Sequence, residues 1–271
     1  MIELLAPAGS MEALRAAVQN GADAVYLGCG SFNARQSAKN FTIQTLSEAV
    51  KYCHVRGVQG HLTLNTLVSD REMDAAAELI RQAASAGVDA FIIQDMAYCR
   101  MGLPLPLHAS TQTSCTSPEK VAFFEQVGFE RAILERNLSL AEIRNIRQHT
   151  TIELEAFVHG AICVGYSGRC FLSRSTSERS GNRGECSQPC RLEYDLCNEQ
   201  GDIIIKGKHL LSVRDLDLSA RLGEMIDEGI TSFKIEGRLK DRTYVRNIVT
   251  LYRRLLDSEI AKRNDVERSS V

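Results

Sequence analysis

Five of the nine cysteines fall in one stretch: Cys163, Cys170, Cys186, Cys190 and Cys197. The first four follow the pattern C-x6-C-x15-C-x3-C, and four thiolates this close in sequence can meet at one metal centre. Gly160, Gly165, Gly168, Gly181 and Gly184 give the segment the backbone freedom that tight loops need. Two centres compete. Structural zinc takes four cysteines, usually from paired C-x2-4-C knuckles, and only Cys186-x3-Cys190 has that spacing. An iron–sulfur cluster also takes four thiolates, and the six-residue gap between Cys163 and Cys170 leans toward it. Free thiols are the third reading. Cys197 is expected to pack, and the scattered Cys29, Cys53, Cys99 and Cys115 to behave as small buried hydrophobes.

Other candidates are single polar residues: Asn65, Gln94, Asp95, His108, Ser110, Gln112, Glu135, His159, Glu236 and Arg238. Each follows or ends a short apolar run. His108 and His159 are the acid–base candidates near neutral pH. Glu236 is a further catalytic candidate, and Arg238 can grip a carboxylate with two parallel hydrogen bonds. Asn65, Gln112 and Glu135 are read as substrate-binding. Between His159 and Leu192 the chain carries Arg169, Arg174, Arg179, Arg183 and Arg191 against Glu178 and Glu185, a net +3 in a chain of net −2. A basic rim of this kind suits a phosphate backbone, with Arg169 and Arg174 as its representatives. Tyr166, Phe171 and Tyr194 are the nearby aromatics on which a base could stack.

These residues must be positioned by a repeated unit, a short apolar run followed by an amphipathic stretch. Strands are expected at Ile2–Ala6, Ala24–Leu27, His61–Asn65, Ala90–Ile93, Pro106–His108, Arg131–Leu134, Ile152–Val158 and Thr231–Ile235. Helices are expected at Met11–Asn20, Ile43–Val55, Asp70–Ala86, Met96–Met101, Pro118–Val127, Ser139–Gln148 and Tyr244–Ile260. Alternation at this spacing predicts a parallel sheet, and eight units in this length predict a single (β/α)8 barrel over residues 1–271. An open doubly wound sheet is the weaker alternative, because no G-x-G-x-x-G follows the first strand. Residues 159–213 interrupt the pattern with the cysteines and a β-hairpin, Leu192–Cys197 and Asp202–Lys206, around Asn198-Glu199-Gln200-Gly201. An insertion after a barrel strand sits on the face where active sites are built. The polar strand-end residues should converge on the same face.

With 44% hydrophobic and 24% charged residues in 271, the composition is that of a soluble globular protein. It excludes a disordered or collagen-like chain and a nucleic-acid binder basic over its whole surface. There is no apolar run of about 18 residues and no secretory pattern, so a cytoplasmic protein without membrane contact is expected.

The stretch Glu155-Ala-Phe-Val-His159-Gly160-Ala-Ile-Cys163-Val-Gly165-Tyr-Ser-Gly168-Arg-Cys170-Phe-Leu-Ser173 closely resembles the signature of the collagenase-like peptidase family U32. Leu5-Ala-Pro7-Ala-Gly9, His108-Ala-Ser110-Thr-Gln112 and Lys234-Ile-Glu236-Gly237-Arg238 look like the same family. The resemblance covers essentially the whole chain. It implies relatives that are oxygen-independent hydroxylases holding a four-iron cluster on four cysteines, among them prephenate-dependent tRNA uridine hydroxylase, a ribosomal RNA cytidine hydroxylase and ubiquinone-biosynthesis proteins. By that resemblance Cys163, Cys170, Cys186 and Cys190 are the ligands of a [4Fe–4S] cluster, prephenate or a similar dicarboxylate is a co-substrate, and tRNA or rRNA is the partner. Family members carry a further segment beyond the barrel, so a chain ending soon after Ile260 is expected to be a short or trimmed member.

The family name implies a peptidase, and the residues support that less well. No H-E-x-x-H or G-x-S-x-G is present, and His159 and Cys163 would pair only on a helix, which the glycines oppose. Peptidase is the runner-up reading. An RNA-binding or assembly module with structural zinc is the third.

Overall fold

A computed structural model describes residues 2–269. Eight parallel strands form a closed barrel: β1 Glu3–Ala8, β2 Ala24–Leu27, β3 Gln59–Leu64, β4 Ala90–Ile93, β5 Leu107–Ala109, β6 Arg131–Ile133, β7 Glu153–Gly160 and, last in the chain, β11 Ile230–Ile235. Each strand pairs with the next, β6 pairs β7, and β11 closes the ring between β7 and β1. Closure leaves no barrel edge, so every strand's ladder is satisfied on both sides.

The helices around the barrel are α1 Met11–Gln19, α2 Ile43–His54, α3 Met73–Ser85, α4 Pro118–Gln126, α5 Leu140–Arg147, α7 Leu222–Asp227 and α8 Arg242–Ser269, while α6 Leu172–Thr176 lies over its mouth. Their starts follow from sequence. Ser10, Thr42, Ser117 and Ser139 each accept a hydrogen bond from a backbone N–H of the first turn. In α8, Val245, Val249, Tyr252 and Leu256 recur on one face and are fully buried. Burying each such side chain stabilises the fold by about 1.5–3 kcal/mol.

The excursion after β7 departs from a plain loop. It holds α6, the hairpin β8 Tyr194–Cys197 with β9 Ile203–Lys208, and then β10 Leu216–Asp217, which pairs antiparallel with β7. α7 supplies the missing seventh crossover, burying Leu222 and Met225. The hairpin projects into solvent, so Cys197 is exposed, contrary to the packing role expected of it. Cys29, Cys53 and Cys115 are buried as expected, and Cys99 is half-buried. No described helix is long and apolar enough to cross a membrane.

Candidate active site

The barrel interior is polar, and its charges are stacked in two levels. At the strand starts Arg131 reaches Glu3 at 2.5 Å, Glu153 at 2.6 Å and Glu155 at 3.1 Å. Lys234 Nζ donates to Glu155 at 2.7 Å. Below the mouth, Leu5, Tyr26, Ile92, Ile133 and Phe157, from β1, β2, β4, β6 and β7, form an apolar cluster inside the barrel.

Above them a narrow cavity of about 30 Å³ opens at the mouth, lined by Arg35, Asn65, Ser110, Gln112, Arg136, Lys234, Glu236 and Arg238 among others. Glu236 is its one carboxylate. Arg136 Nη2 donates to it at 2.7 Å, and Arg35 stands 3.5 Å away. Burial acts to raise the Glu236 pKa, but Arg35, Arg136, Arg238 and Lys234 together outweigh it and hold the carboxyl below its usual range. Arg238 donates to Thr63 at 2.8 Å and Asn33 at 3.2 Å, and burial brings its pKa down to about 10. The Nε groups of Arg136 and Arg238 are buried without a partner, two strong donors left open in arginines that border the cavity.

The cysteine segment is folded down onto this mouth. Glu135, at the end of β6, accepts from the Ser167 N–H at 2.8 Å and its hydroxyl at 3.0 Å. Gly168 lies so close to Gln112 that a Cβ would overlap the Gln112 carbonyl, and its φ of +74° favours glycine as well. Arg191 donates to Ile162 O, Val213 O and Ser212, and Arg183 to Leu67 O and Glu72. The result is a second cavity of about 150 Å³ bordered by Cys163, Cys170, Cys186 and Cys190 together. It shares Ala34, Arg35, Gln112 and Arg136 with the mouth cavity, so the two are continuous. Burial pushes the Cys190 thiol up; Arg191 opposes this, while Cys163, Cys186 and Cys170 reinforce it. Arg136 Nη1 lies 4.0 Å from Cys163 Sγ, and Ser173 Oγ lies 3.6 Å from Cys186 Sγ. Among the described residues no three His, Cys, Asp or Glu side chains are close enough together to hold a single metal ion.

The expected residues divide. Asn65, Ser110, Gln112, Glu236 and Arg238 line the mouth, and the four cysteines line the adjoining cavity. His108 lies lower in the barrel beside His61, ring centroids 4.9 Å apart, and borders neither cavity. β5 has only three residues, and His108 pairs in register with Arg131, at the charged lower level. Burial, then the charges of His61, Arg131 and Lys234, push its pKa well down, so it stays neutral. His159 faces the helical layer: a register shift at the end of β7 turns it onto Tyr252, whose hydroxyl is 3.2 Å from Nδ1. Glu135 anchors the cysteine loop instead of lining the mouth. The basic rim is largely spent, since Arg174 binds Glu178, Arg179 binds Glu185 O, and Arg183 and Arg191 hold the loop. Arg169 alone of the five is exposed without a partner among the described residues. Arg35, Arg136 and Lys234 were missed as site residues. Lys234 was legible, two positions before Glu236 on the same strand face; Arg35 lies in the long β2–α2 loop, where no periodicity marks it.

The family model for Peptidase family U32 matches residues 9–270. The chain is 46% identical over 270 residues to the 23S rRNA 5-hydroxycytidine synthase of Escherichia coli strain K12, covering 99% of this chain and 41% of that protein. It is 38% identical over 269 residues to tRNA hydroxylation protein P1 of Bacillus subtilis strain 168, covering 96% of this chain and 64% of that one. The chain thus spans less than two thirds of each of these curated relatives. The solved structure of the U32 peptidase Mk0906 matches with a TM-score of 0.59 at 17% identity, covering 88% of this chain and 93% of that one, a likeness of fold.

Proposed function

The chain belongs to peptidase family U32, and from that premise we propose that it is the barrel part of an oxygen-independent RNA-base hydroxylase. One observation carries this reading: four thiols border a cavity that runs directly into a mouth lined by arginines and one carboxylate. Cys163, Cys170, Cys186 and Cys190 would hold a [4Fe–4S] cluster. All four border one cavity of about 150 Å³, and four thiolates are the donor set that such a cluster takes. Bound there, a cluster supplies electron relay or Lewis acidity. Arg35, Arg136 and the neighbouring Arg191 offset the charge of the thiolates.

The charges of the mouth also suit a small dicarboxylate such as prephenate as oxygen source; since about 30 Å³ holds only about two waters, Arg35 and Arg136 would have to move aside to admit it. Arg136 and Arg238 each keep a buried Nε–H unpaired, which a ligand carboxylate would satisfy. Glu236, held ionised, would orient Arg136 and Arg35, its two partners, and accept a proton from the substrate. Glutamate at this place takes the acid–base role that the positions of His108 and His159 do not serve. RNA hydroxylation is the role for which the two relatives are named, and the exposed Tyr166 and Phe171 beside the cysteines offer stacking faces for a target base. The site belongs to the cytoplasm, where RNA and reducing conditions coincide.

Anaerobically purified protein should be brown and carry iron and sulfide, and Cys170→Ser should bleach it. Nucleoside mass spectrometry of tRNA and 23S rRNA from a deletion strain should show a hydroxylated pyrimidine lost. Stoichiometric zinc without iron would instead support the zinc-module reading, and gelatin cleavage that persists in Cys170→Ser the peptidase reading.

A further inference from the structure

Beside the mouth, away from the cysteine loop, five exposed cations have no acidic partner within 4.0 Å among the described residues: Arg15 on α1, Lys39 in the β2–α2 loop, Lys240 before α8, and Arg242 and Arg246 in its first two turns. Elsewhere exposed arginines are commonly closed onto carboxylates, as Arg144 is on Glu228, Arg221 on Glu224 and Arg81 on Glu78. The five border two open clefts of about 430 and about 420 Å³ that meet at Glu12 and Arg242. The second cleft reaches Arg238, which also borders the mouth, and Ser37 and Leu239, which also border the cysteine cavity. A continuous basic groove therefore leads from the site over the α1–α8 side.

Its electrostatics favour an extended anion. The two acids in the groove are Glu12 and Asp241, and the Asp241 carboxylate is occupied in accepting the Tyr244 N–H at 2.8 Å. Arg242 and Arg246 lie in the first two turns of α8, whose N-terminus is capped by Asp241 and whose first turn holds no acid, so an anion arriving there is favoured by both the cations and the helix dipole. Arg238 keeps a buried, unpartnered Nε where the groove enters the site. The remaining lining is mainly small and polar, with Ser10, Ser37, Gln19 and Thr243, and lacks the aromatic anchor on which a protein interface depends.

We propose that this groove is the track for the phosphate backbone of the RNA, leading the nucleotides that flank the target base away from the mouth. The proposal rests on the RNA reading above and assigns the phosphate contacts to the α1–α8 side, not to the arginines of the cysteine loop. The test uses the full chain purified anaerobically with fluorescein-labelled tRNA and, in parallel, a labelled 23S rRNA fragment, with affinity measured across a salt series and the slopes read on whichever RNA the wild type binds. In the variant Lys240→Gln, Arg242→Gln, Arg246→Gln, the slope of log K against log salt should fall by about one for each cation removed. A control with the same charge change, Arg81→Gln, Arg144→Gln, Arg221→Gln, should leave the slope nearly unchanged. Equal losses in both variants overturn the groove, because net charge alone would then explain them. An unchanged groove variant together with weakened Arg169→Gln, Arg179→Gln binding also overturns it and leaves the RNA reading standing. Wild-type protein that binds neither RNA at any salt concentration overturns the RNA reading itself.

Discussion

Arg136 lies over the Phe157 ring, 3.9 Å from its centroid, between the Glu236 carboxylate and the Cys163 sulfur. A planar guanidinium serves both partners at once, which an ammonium does not. Arg136→Met should therefore cost activity about tenfold to a hundredfold, the worth of a charge-assisted hydrogen bond, while iron content holds. Arg136→Lys should recover little. Product formation and bound iron measured on the same preparations check this; loss of iron in step with activity would give Arg136 a structural role. In the sequence Arg136 was one more arginine next to a predicted strand end. Cys163, Cys170, Cys186 and Cys190 were legible because thiolate chemistry is carried by residue type and spacing.

The elements explain the errors in the list of candidate residues. A strand-end position predicts a mouth position, and that prediction fails where a strand is short or bulged. β5 is three residues long, which leaves His108 low in the barrel, and the shift at the end of β7 turns His159 outward. Glu135 stands at the mouth end of its strand, but its carboxylate is taken by Ser167. Glu135→Ala should accordingly leave the barrel's thermal midpoint nearly unchanged and release the cysteine loop. Iron retained per chain after mild chelation should fall sharply, and iron that stays bound as in wild type would count against this anchoring.

Across the whole molecule, charge inside the barrel ties stability to pH. Burial lowers the pKa of His61 and, more strongly, of His108 from the usual 6.5, so in the folded chain these two imidazoles stay neutral where in the unfolded chain they take up protons. Unfolding then binds protons, and stability falls as pH drops below 6.5. Glu3 and Glu236 lie below the usual 4.5, despite burial, because of the arginines beside them, and their contribution is lost at still lower pH as they protonate in the folded state. Urea unfolding midpoints should decline from pH 6.5 downward, and His108→Leu should flatten the upper part of that decline. A profile equally steep in the variant would remove His108 as its source.

Sequence alone determined the alternation of strands and helices, hence the barrel, because apolar periodicity and helix caps are local properties of the chain. It also determined which thiols could share a centre. Only the tertiary structure decided which polar side chains meet. Facing residues such as Arg35, Arg136 and Glu236 are brought together by barrel closure and by a loop folded back across its mouth, and contacts between such distant positions leave no periodic trace in the chain.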